Sequence, residues 1–130
     1  MSNRIGGRLA ALANVITFKV PVKDRDTGKV STAVRSGTIA WLPVGDRKVC
    51  FVLQRDDDGK AHALAHYASG MLLGNLNSAR IEVMCARGHH ARLTPRGAAL
   101  WLLDRAIRAN GVEEVIHQLD KAPRLNAGRL

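Results

Sequence analysis

Histidine and cysteine side chains are the first candidates for metal chemistry in this sequence. His62 and His66 are four residues apart, so on a helix they would share a face and could chelate a metal, whereas on a strand they would only share a side. Cys85 precedes His89 by four residues, which gives a Cys-x3-His fragment. A zinc site needs three or four ligands in closed geometry, and the sequence contains neither a CxxC motif nor a second ordered pair. We therefore expect no metal and no cofactor.

Nucleophilic catalysis has little support in the sequence. Cys50 lies in an apolar segment typical of a strand, where burial would raise its pKa and leave the thiol unreactive. Ser69 precedes a glycine, which indicates a turn, and the aspartate run 56–58 ends at Gly59, which indicates a solvated turn. No glycine-rich phosphate loop followed by lysine is present. We expect a protein that is not an enzyme; the alternative is a small hydrolase or transferase that uses His62, His66 or His89.

Positive charge is the most informative property of the chain. Its 130 residues contain 20 Lys and Arg against 11 Asp and Glu, a formal net charge of +9. The excess is concentrated between Arg80 and Arg96, a span of seventeen residues in which Glu82 is the only acid. Guanidinium groups and helix N-termini both bind phosphate oxygens, so a loop at 87–94 that leads into a helix predicts an adaptable polyanion-binding surface. The alternative is a solvated basic face that only aids solubility.

Trp101 adds an aromatic side chain to this basic region. On a helix it would lie opposite Leu102 and Leu103, on the side that carries Arg105 and Arg108. A tryptophan among arginines is suited to stacking on a nucleobase or to anchoring a protein interface. The alternatives are that the second helix or the N-terminal arm covers Trp101, or that Arg105 stacks on it.

The favoured function is therefore a small, non-enzymatic, basic binding protein that engages a polyanion, with DNA or RNA as the favoured ligand. Aromatic residues make up only 4% of the chain, and the predicted helices do not match a helix-turn-helix, so we expect contacts to phosphates and strong salt dependence. The alternative partner is an acidic protein surface, docked by an accessory or inhibitor module of a bacterial mobile element. The predicted binding residues are Arg80, Arg87, His89, His90, Arg92, Arg96, Trp101, Arg105 and Arg108.

The elements that would position these residues form an α+β domain. Alternating apolar residues predict an antiparallel sheet of five to six strands over residues ~14–87, including a hairpin at 14–36 and a central strand near 49–53. Residues 60–77 fit a hairpin that turns at Ser69-Gly70, with a helix as the alternative, and Ile81, Val83 and Cys85 indicate a last strand. Two helices, at ~95–110 and ~112–121, follow, because Thr94-Pro95 is a typical helix start and Gly111 a typical helix end.

The ends of the chain and its cysteines predict its organisation and setting. We expect a flexible basic N-terminal arm or short helix at 1–12, a single domain at 13–122 and a basic tail at 123–130. Two cysteines in apolar segments indicate free thiols in a cytoplasmic protein. Fourteen arginines against six lysines, with abundant alanine, suggest a bacterial genome rich in GC. No apolar run is long enough to cross a membrane, and a sheet face or edge that is left uncovered would permit a homodimer.

Overall fold

The computed structural model describes residues 15–87 and 93–126, and this part of the chain contains five strands and three helices. The strands are β1 (Val15–Lys23), β2 (Val30–Val44), β3 (Arg47–Arg55), β4 (Ala61–His66) and β5 (Leu72–Asn75). The helices are α1 (Leu76–Arg87), α2 (Pro95–Asn110) and α3 (Val112–Lys121). The predicted α+β class with an antiparallel sheet is confirmed, although three helices follow the sheet where the sequence predicts two. The arm predicted at 1–12 lies outside the described residues.

The additional helix, α1, replaces the strand predicted from Ile81, Val83 and Cys85, so that prediction is wrong. The Asn75 side chain accepts hydrogen bonds from the backbone N–H groups of residues 77 and 78, at 2.7 and 3.2 Å, and so caps the start of α1. The residues that α1 buries are Leu76, Ala79 and Val83, which follow the three- and four-residue spacing of a helix. Ile81 is 62% exposed, so the alternation that indicates a strand does not describe a buried face.

The five strands form a meander in which each strand pairs with its neighbour in sequence. The predicted hairpin over 14–36 is confirmed by the antiparallel pairing of β1 with β2. The second predicted hairpin is confirmed by the pairing of β4 with β5 around Gly70, whose φ of 69° is in the left-handed region that glycine adopts most readily. Strand β3 is central and apolar on both faces, as its sequence predicts, with Phe51, Val52 and Leu53 buried.

Both faces of the sheet are covered, and the sheet curls to achieve this. The helices cover one face with a core that includes Leu42, Phe51, Leu64 and Leu103. The other face buries a smaller cluster: Phe18, Val20, Val52 and Ala65. Strand β1 approaches the β4–β5 turn so closely that a Cβ on Gly70 would clash with the carbonyl oxygen of Lys19.

Residues near the end of the described chain hold this curled edge in place. The Asn126 side chain accepts a hydrogen bond from the Lys19 N–H at 2.7 Å and donates to the carbonyl oxygens of Lys19 and Tyr67, at 2.9 and 2.7 Å. The backbone N–H of Leu125 donates to the carbonyl oxygen of Ala68 at 2.8 Å. Segment 124–126, part of the stretch that the sequence assigns to a basic tail, is thereby fixed between β1 and the β4–β5 turn.

Helices α2 and α3 have the predicted bounds, because local capping sets them. The Thr94 side chain accepts a hydrogen bond from the N–H of Gly97 at 3.0 Å, and Pro95 occupies the first turn, where its missing N–H has no helical partner to lose. Gly111 ends α2 with a φ of 85°, and its N–H donates to Ile107. Helix α3 then buries Val115 and Leu119 in the core beneath the helices.

Candidate functional site

The contact between α1 and α2 is organised by Glu82. The indole Nε1–H of Trp101 donates to one carboxylate oxygen of Glu82 at 2.8 Å. The Arg105 guanidinium forms an ion pair with the other oxygen. One acidic side chain of α1 therefore fixes an aromatic and a basic side chain of α2 side by side.

Arg87, the last residue of α1, stacks on the same tryptophan. Its guanidinium carbon lies 5.3 Å from the centroid of the Trp101 ring, a cation–π contact. The sequence assigns the stacking alternative to Arg105, which instead pairs with Glu82. Trp101 is partly buried and packs against the core beneath the helices, so it belongs both to the surface and to the core.

The remaining predicted residues of α1 and α2 are less closely gathered. Arg108 lies one turn beyond Arg105 and pairs with Asp104 of its own helix at 2.9 Å, with both side chains more than half exposed. Arg80 donates to the side chain of Asn77 at 3.1 Å, within α1. Arg96 donates to the carbonyl oxygen of Trp41, in β2, at 3.2 Å. In the described part of the chain, neither of these last two arginines has a hydrogen bond, ion pair or cation–π contact with Glu82, Trp101 or Arg105.

Three predicted binding residues, His89, His90 and Arg92, lie outside the described residues, as does most of the loop predicted at 87–94. Of the other six, the structure gathers Arg87, Trp101 and Arg105, aligns Arg108 with them on one side of α2, and directs Arg80 and Arg96 elsewhere. We call the surface formed by Arg87, Trp101, Arg105 and Arg108 the α1–α2 face.

A second concentration of charge, absent from the predicted site, lies where β4 ends. A cavity of about 270 Å³ opens between the first half of β3, the residues after β4, α3 and the segment that contains Arg124. We call it the β4-end pocket. Six of its lining side chains determine its chemistry: Arg47, Lys48, His66, Ile116, Asp120 and Arg124.

His66 is the most buried polar side chain of this pocket, with 7% of its surface exposed. Its Nδ1 lies 2.8 Å from the hydroxyl oxygen of Ser69, which also accepts the backbone N–H of Met71 at 3.1 Å. Burial lowers the pKa of His66 below its usual value, and the positive charge of Arg124 lowers it further, against a smaller opposite effect of Asp120. The imidazole is therefore neutral at pH 7.

Asp120 and Arg47 form the ion pair at the rim of the pocket. Two guanidinium nitrogens of Arg47 contact the two carboxylate oxygens of Asp120, at 3.1 and 3.4 Å. These hydrogen bonds are the main reason that the pKa of Asp120 lies below its usual value, with the charges of Arg47 and Arg124 acting in the same direction. Arg124 has no carboxylate within ion-pair distance in the described part of the chain.

Cys50 also lines this pocket, but its chemistry is unfavourable for catalysis. Burial raises the pKa of its thiol to about 11, so the thiolate that would act as a nucleophile is scarce at neutral pH. His62 and His66 both belong to strand β4, but the register shift between Ala61 and Ala63 breaks the alternation at His62, and the two histidines line different cavities. Within residues 15–87 and 93–126, no group of three or more His, Cys, Asp or Glu side chains could hold a metal ion.

Comparisons with protein-family models, with curated proteins and with solved structures find no match for this chain. In the described part of the chain, no helix is long and apolar enough to cross a membrane. The α1–α2 face and the β4-end pocket are therefore the candidate functional sites of the described residues.

The sequence carries a local signal for only one of these surfaces. Trp101, Arg105 and Arg108 lie within eight residues and follow helical spacing, so a basic and aromatic stripe can be predicted there, and Arg87 belongs to the basic segment that precedes it. The pocket brings together residues from position 47 to position 124, and no motif links them. In the sequence alone, nothing distinguishes His66 from the other histidines or Arg124 from the other arginines.

Proposed function

We propose that this chain is a small, non-enzymatic protein that binds the phosphate backbone of DNA or RNA through the α1–α2 face. The observation that carries the proposal is the stacking of Arg87 on Trp101, with Arg105 beside them. The two helices together contain five arginines, against Glu82 and Asp104 as their acids.

The position of Arg87 over the indole suits phosphate binding. A cation–π contact draws on the charge of the guanidinium and does not consume its N–H groups as hydrogen-bond donors. Those N–H groups match two oxygens of a phosphate. Because Glu82 fixes the indole through a 2.8 Å hydrogen bond, the platform that supports Arg87 is rigid before any ligand binds.

The ion pairs of Arg105 and Arg108 do not prevent this role. Both arginine side chains are more than half exposed, and exposed ion pairs contribute only about 0–1 kcal/mol. A phosphate that approaches either arginine can therefore share or replace its carboxylate partner at small cost. Three arginines along one side then contact successive phosphates, which gives affinity with little preference for sequence.

Fluorescence anisotropy with mixed-sequence duplex and single-stranded oligonucleotides, at 50 and 200 mM salt, tests the proposal. The triple variant Arg87→Gln/Arg105→Gln/Arg108→Gln should lose about 100-fold in affinity, and the slope of log affinity against log salt should fall by about 2.7 for duplex DNA. The matched control is Lys23→Gln/Arg25→Gln/Lys29→Gln, which removes the same charge around the β1–β2 turn. Equal weakening by the two variants, or binding that does not depend on salt, contradicts the proposal.

One observation favours a second candidate, an acidic protein as the partner. Ile81 and Met84 of α1 and Leu100 of α2 are exposed on the same two helices as the arginines, at 62%, 38% and 36%. Tryptophan, arginine and methionine are enriched at protein interfaces. In this second candidate function, the chain is an accessory or inhibitor module of a bacterial mobile element. Its α1–α2 face then docks on the acidic surface of the partner protein. Absence of binding to both kinds of nucleic acid at 50 mM salt would favour this candidate.

The proposed setting is the bacterial cytoplasm. Its support is the excess of arginine over lysine and the free thiols of Cys50 and Cys85. Whether the chain forms a homodimer is answered by sedimentation of the full chain at several concentrations.

A further inference from the structure

We propose that the β4-end pocket binds a small organic anion, with a phosphate or carboxylate head group on a compact apolar body. This site is separate from the α1–α2 face, and it does not depend on the nucleic-acid proposal. The pocket exists because two neighbouring strands differ in length. Four charged side chains give it a net positive charge, and an anchored segment of the chain closes it.

The pocket exists because β4 is shorter than β3. Strand β3 has nine residues, but β4 pairs only with the part from Phe51 to Arg55, so residues 47–50 have no strand beside them on that side. The last backbone hydrogen bond across this edge runs from the N–H of Tyr67 to the carbonyl oxygen of Cys50, at 3.1 Å. Beyond it, α3 and the segment at 124–126 surround the gap without filling it.

The backbone of β3 supplies a donor at this gap. In an antiparallel ladder the N–H and C=O of one residue point to the same side, and alternate residues share that side. Because the carbonyl group of Cys50 faces the side of β4, the N–H of Lys48 faces it too. Pro43 of β2 lies opposite Lys48 and has no N–H to offer, as expected at a pair that exchanges no hydrogen bonds.

The side chains around the gap carry an excess of positive charge. Arg47, Lys48 and Arg124 line it, and Asp120 is the only acid among its lining residues. Asp120 accepts two hydrogen bonds from Arg47, so the positive charges of Lys48 and Arg124 are left to balance the negative charge of a ligand. An anion that enters the pocket therefore meets at least two cationic groups and no free carboxylate.

His66 adds an oriented, uncharged donor. Ser69 is 3% exposed, and its hydroxyl oxygen already accepts a hydrogen bond from the backbone N–H of Met71. The buried hydroxyl proton of Ser69 also needs an acceptor, and Nδ1 of His66 lies within hydrogen-bond distance of it. We therefore assign the imidazole proton to Nε2, the tautomer that can donate to an anion.

The rest of the pocket suits an apolar body of limited size. This part of the lining contains Ile116 and Leu119 of α3 together with Trp41 and Tyr67. A cavity of about 270 Å³ is just below the roughly 300–1,000 Å³ typical of sites for drug-sized molecules, so a compound with one ring fits. Asn126 fixes the closing segment to Lys19 and Tyr67 by three hydrogen bonds, so Arg124 is presented by an anchored chain.

Isothermal titration of the full chain with phenyl phosphate, benzoate and benzamide tests this site. We expect phenyl phosphate or benzoate to bind with a dissociation constant below about 1 mM, and benzamide, which has the ring without the charge, to bind at least tenfold more weakly. Binding of both anions supports a shared anion site, whereas binding of only one identifies the head group as phosphate or as carboxylate.

Variants localise the binding. Arg124→Gln, at an exposed position, should weaken anion binding at least tenfold, and Lys48→Gln should weaken it in the same direction. The matched control is Lys121→Gln, which removes one charge at the end of α3 from a residue that does not line the pocket. The proposal is overturned if neither anion binds, if benzamide binds equally well, or if Lys121→Gln weakens binding as much as Arg124→Gln does.

Discussion

The α1–α2 face and the β4-end pocket both use arginine to attract anions, but the chain builds them in opposite ways. The face takes Arg87, Trp101 and Arg105 from two consecutive helices and leaves the arginines exposed. The pocket takes Arg47, His66 and Arg124 from distant parts of the chain and buries the histidine. An exposed stripe suits a repeating polyanion, whereas an enclosed cavity suits one anionic group.

The two sites also differ in how they are held in place. Glu82 orients the face through contacts to Trp101 and Arg105, so the face depends on the packing of two helices. The pocket depends on the curled sheet and on the anchor at Asn126. Changes to one support should therefore leave the other site intact.

The largest effect is expected from Phe51→Ala, because Phe51 supports the sheet on which both sites rest. Its side chain is fully buried, and its ring packs edge to face with His66, with centroids 5.9 Å apart. The free energy of unfolding should fall by about 3–5 kcal/mol, as measured by urea denaturation. Val34→Ala, at a position that is 62% exposed, is the control and should change it by less than about 0.5 kcal/mol. A small effect of Phe51→Ala would mean that this core does not support the fold.

Asn126→Ala should separate the two sites. It removes three hydrogen bonds that join the closing segment to Lys19 and Tyr67, so the free energy of unfolding should fall by about 1–3 kcal/mol. Binding of phenyl phosphate should weaken at the same time, with nucleic-acid affinity unchanged. Asn110→Ala removes one bond within α2 and serves as the control. Equal loss at both sites would show that they share one support.

The contrast between the sites also explains what the sequence could predict. Helices α2 and α3 were predictable because Thr94, Pro95 and Gly111 set their ends through local chemistry. Helix α1 was not, since the alternation of Ile81, Val83 and Cys85 imitates a strand. Its real signal is weaker: the Asn75 cap and the spacing of three buried residues.

The candidate sites follow the same division. The stripe of Trp101, Arg105 and Arg108 was predictable from helical spacing, but the position of Arg87 over Trp101 depends on α1, and Glu82 was assigned no role. The pocket was not predictable, because the gap beside residues 47–50 depends on how far β4 pairs along β3. The extent of this strand pairing is set by tertiary packing, and so is the return of segment 124–126 to the gap. Neither leaves a local pattern in the sequence.

Glu82→Gln should sharpen the description of the face. Glutamine keeps an oxygen that can accept from the Trp101 indole but removes the negative charge that pairs with Arg105. Affinity for mixed-sequence DNA should rise about 2–10-fold in anisotropy titrations, because one repulsive charge is lost. A decrease would show that the charge of Glu82, rather than its hydrogen bond, is what holds the face in its binding form.

The smallest effect is expected from pH and concerns His66 alone. Its pKa is lowered in the folded state, so the unfolded chain binds the proton more readily as pH falls below the ordinary histidine value of 6.5. The unfolding free energy should therefore decrease between pH 7 and the folded-state pKa. Urea denaturation at pH 7.5 and 5.5 should show this decrease, smaller in His66→Gln and retained in His117→Gln, which changes an exposed residue of α3. An identical decrease of the unfolding free energy in both variants would show that a group other than His66 causes the pH dependence.

The most direct test of the central claim, that the α1–α2 face binds nucleic acid, uses the two tryptophans of the chain. One belongs to the face and the other, Trp41, lines the pocket. Two-dimensional NMR resolves their indole N–H signals during titration with a mixed-sequence duplex at 50 mM salt. The account predicts that the Trp101 signal shifts and that the Trp41 signal does not. A shift of Trp41 alone, or of neither signal at saturating DNA, would contradict it.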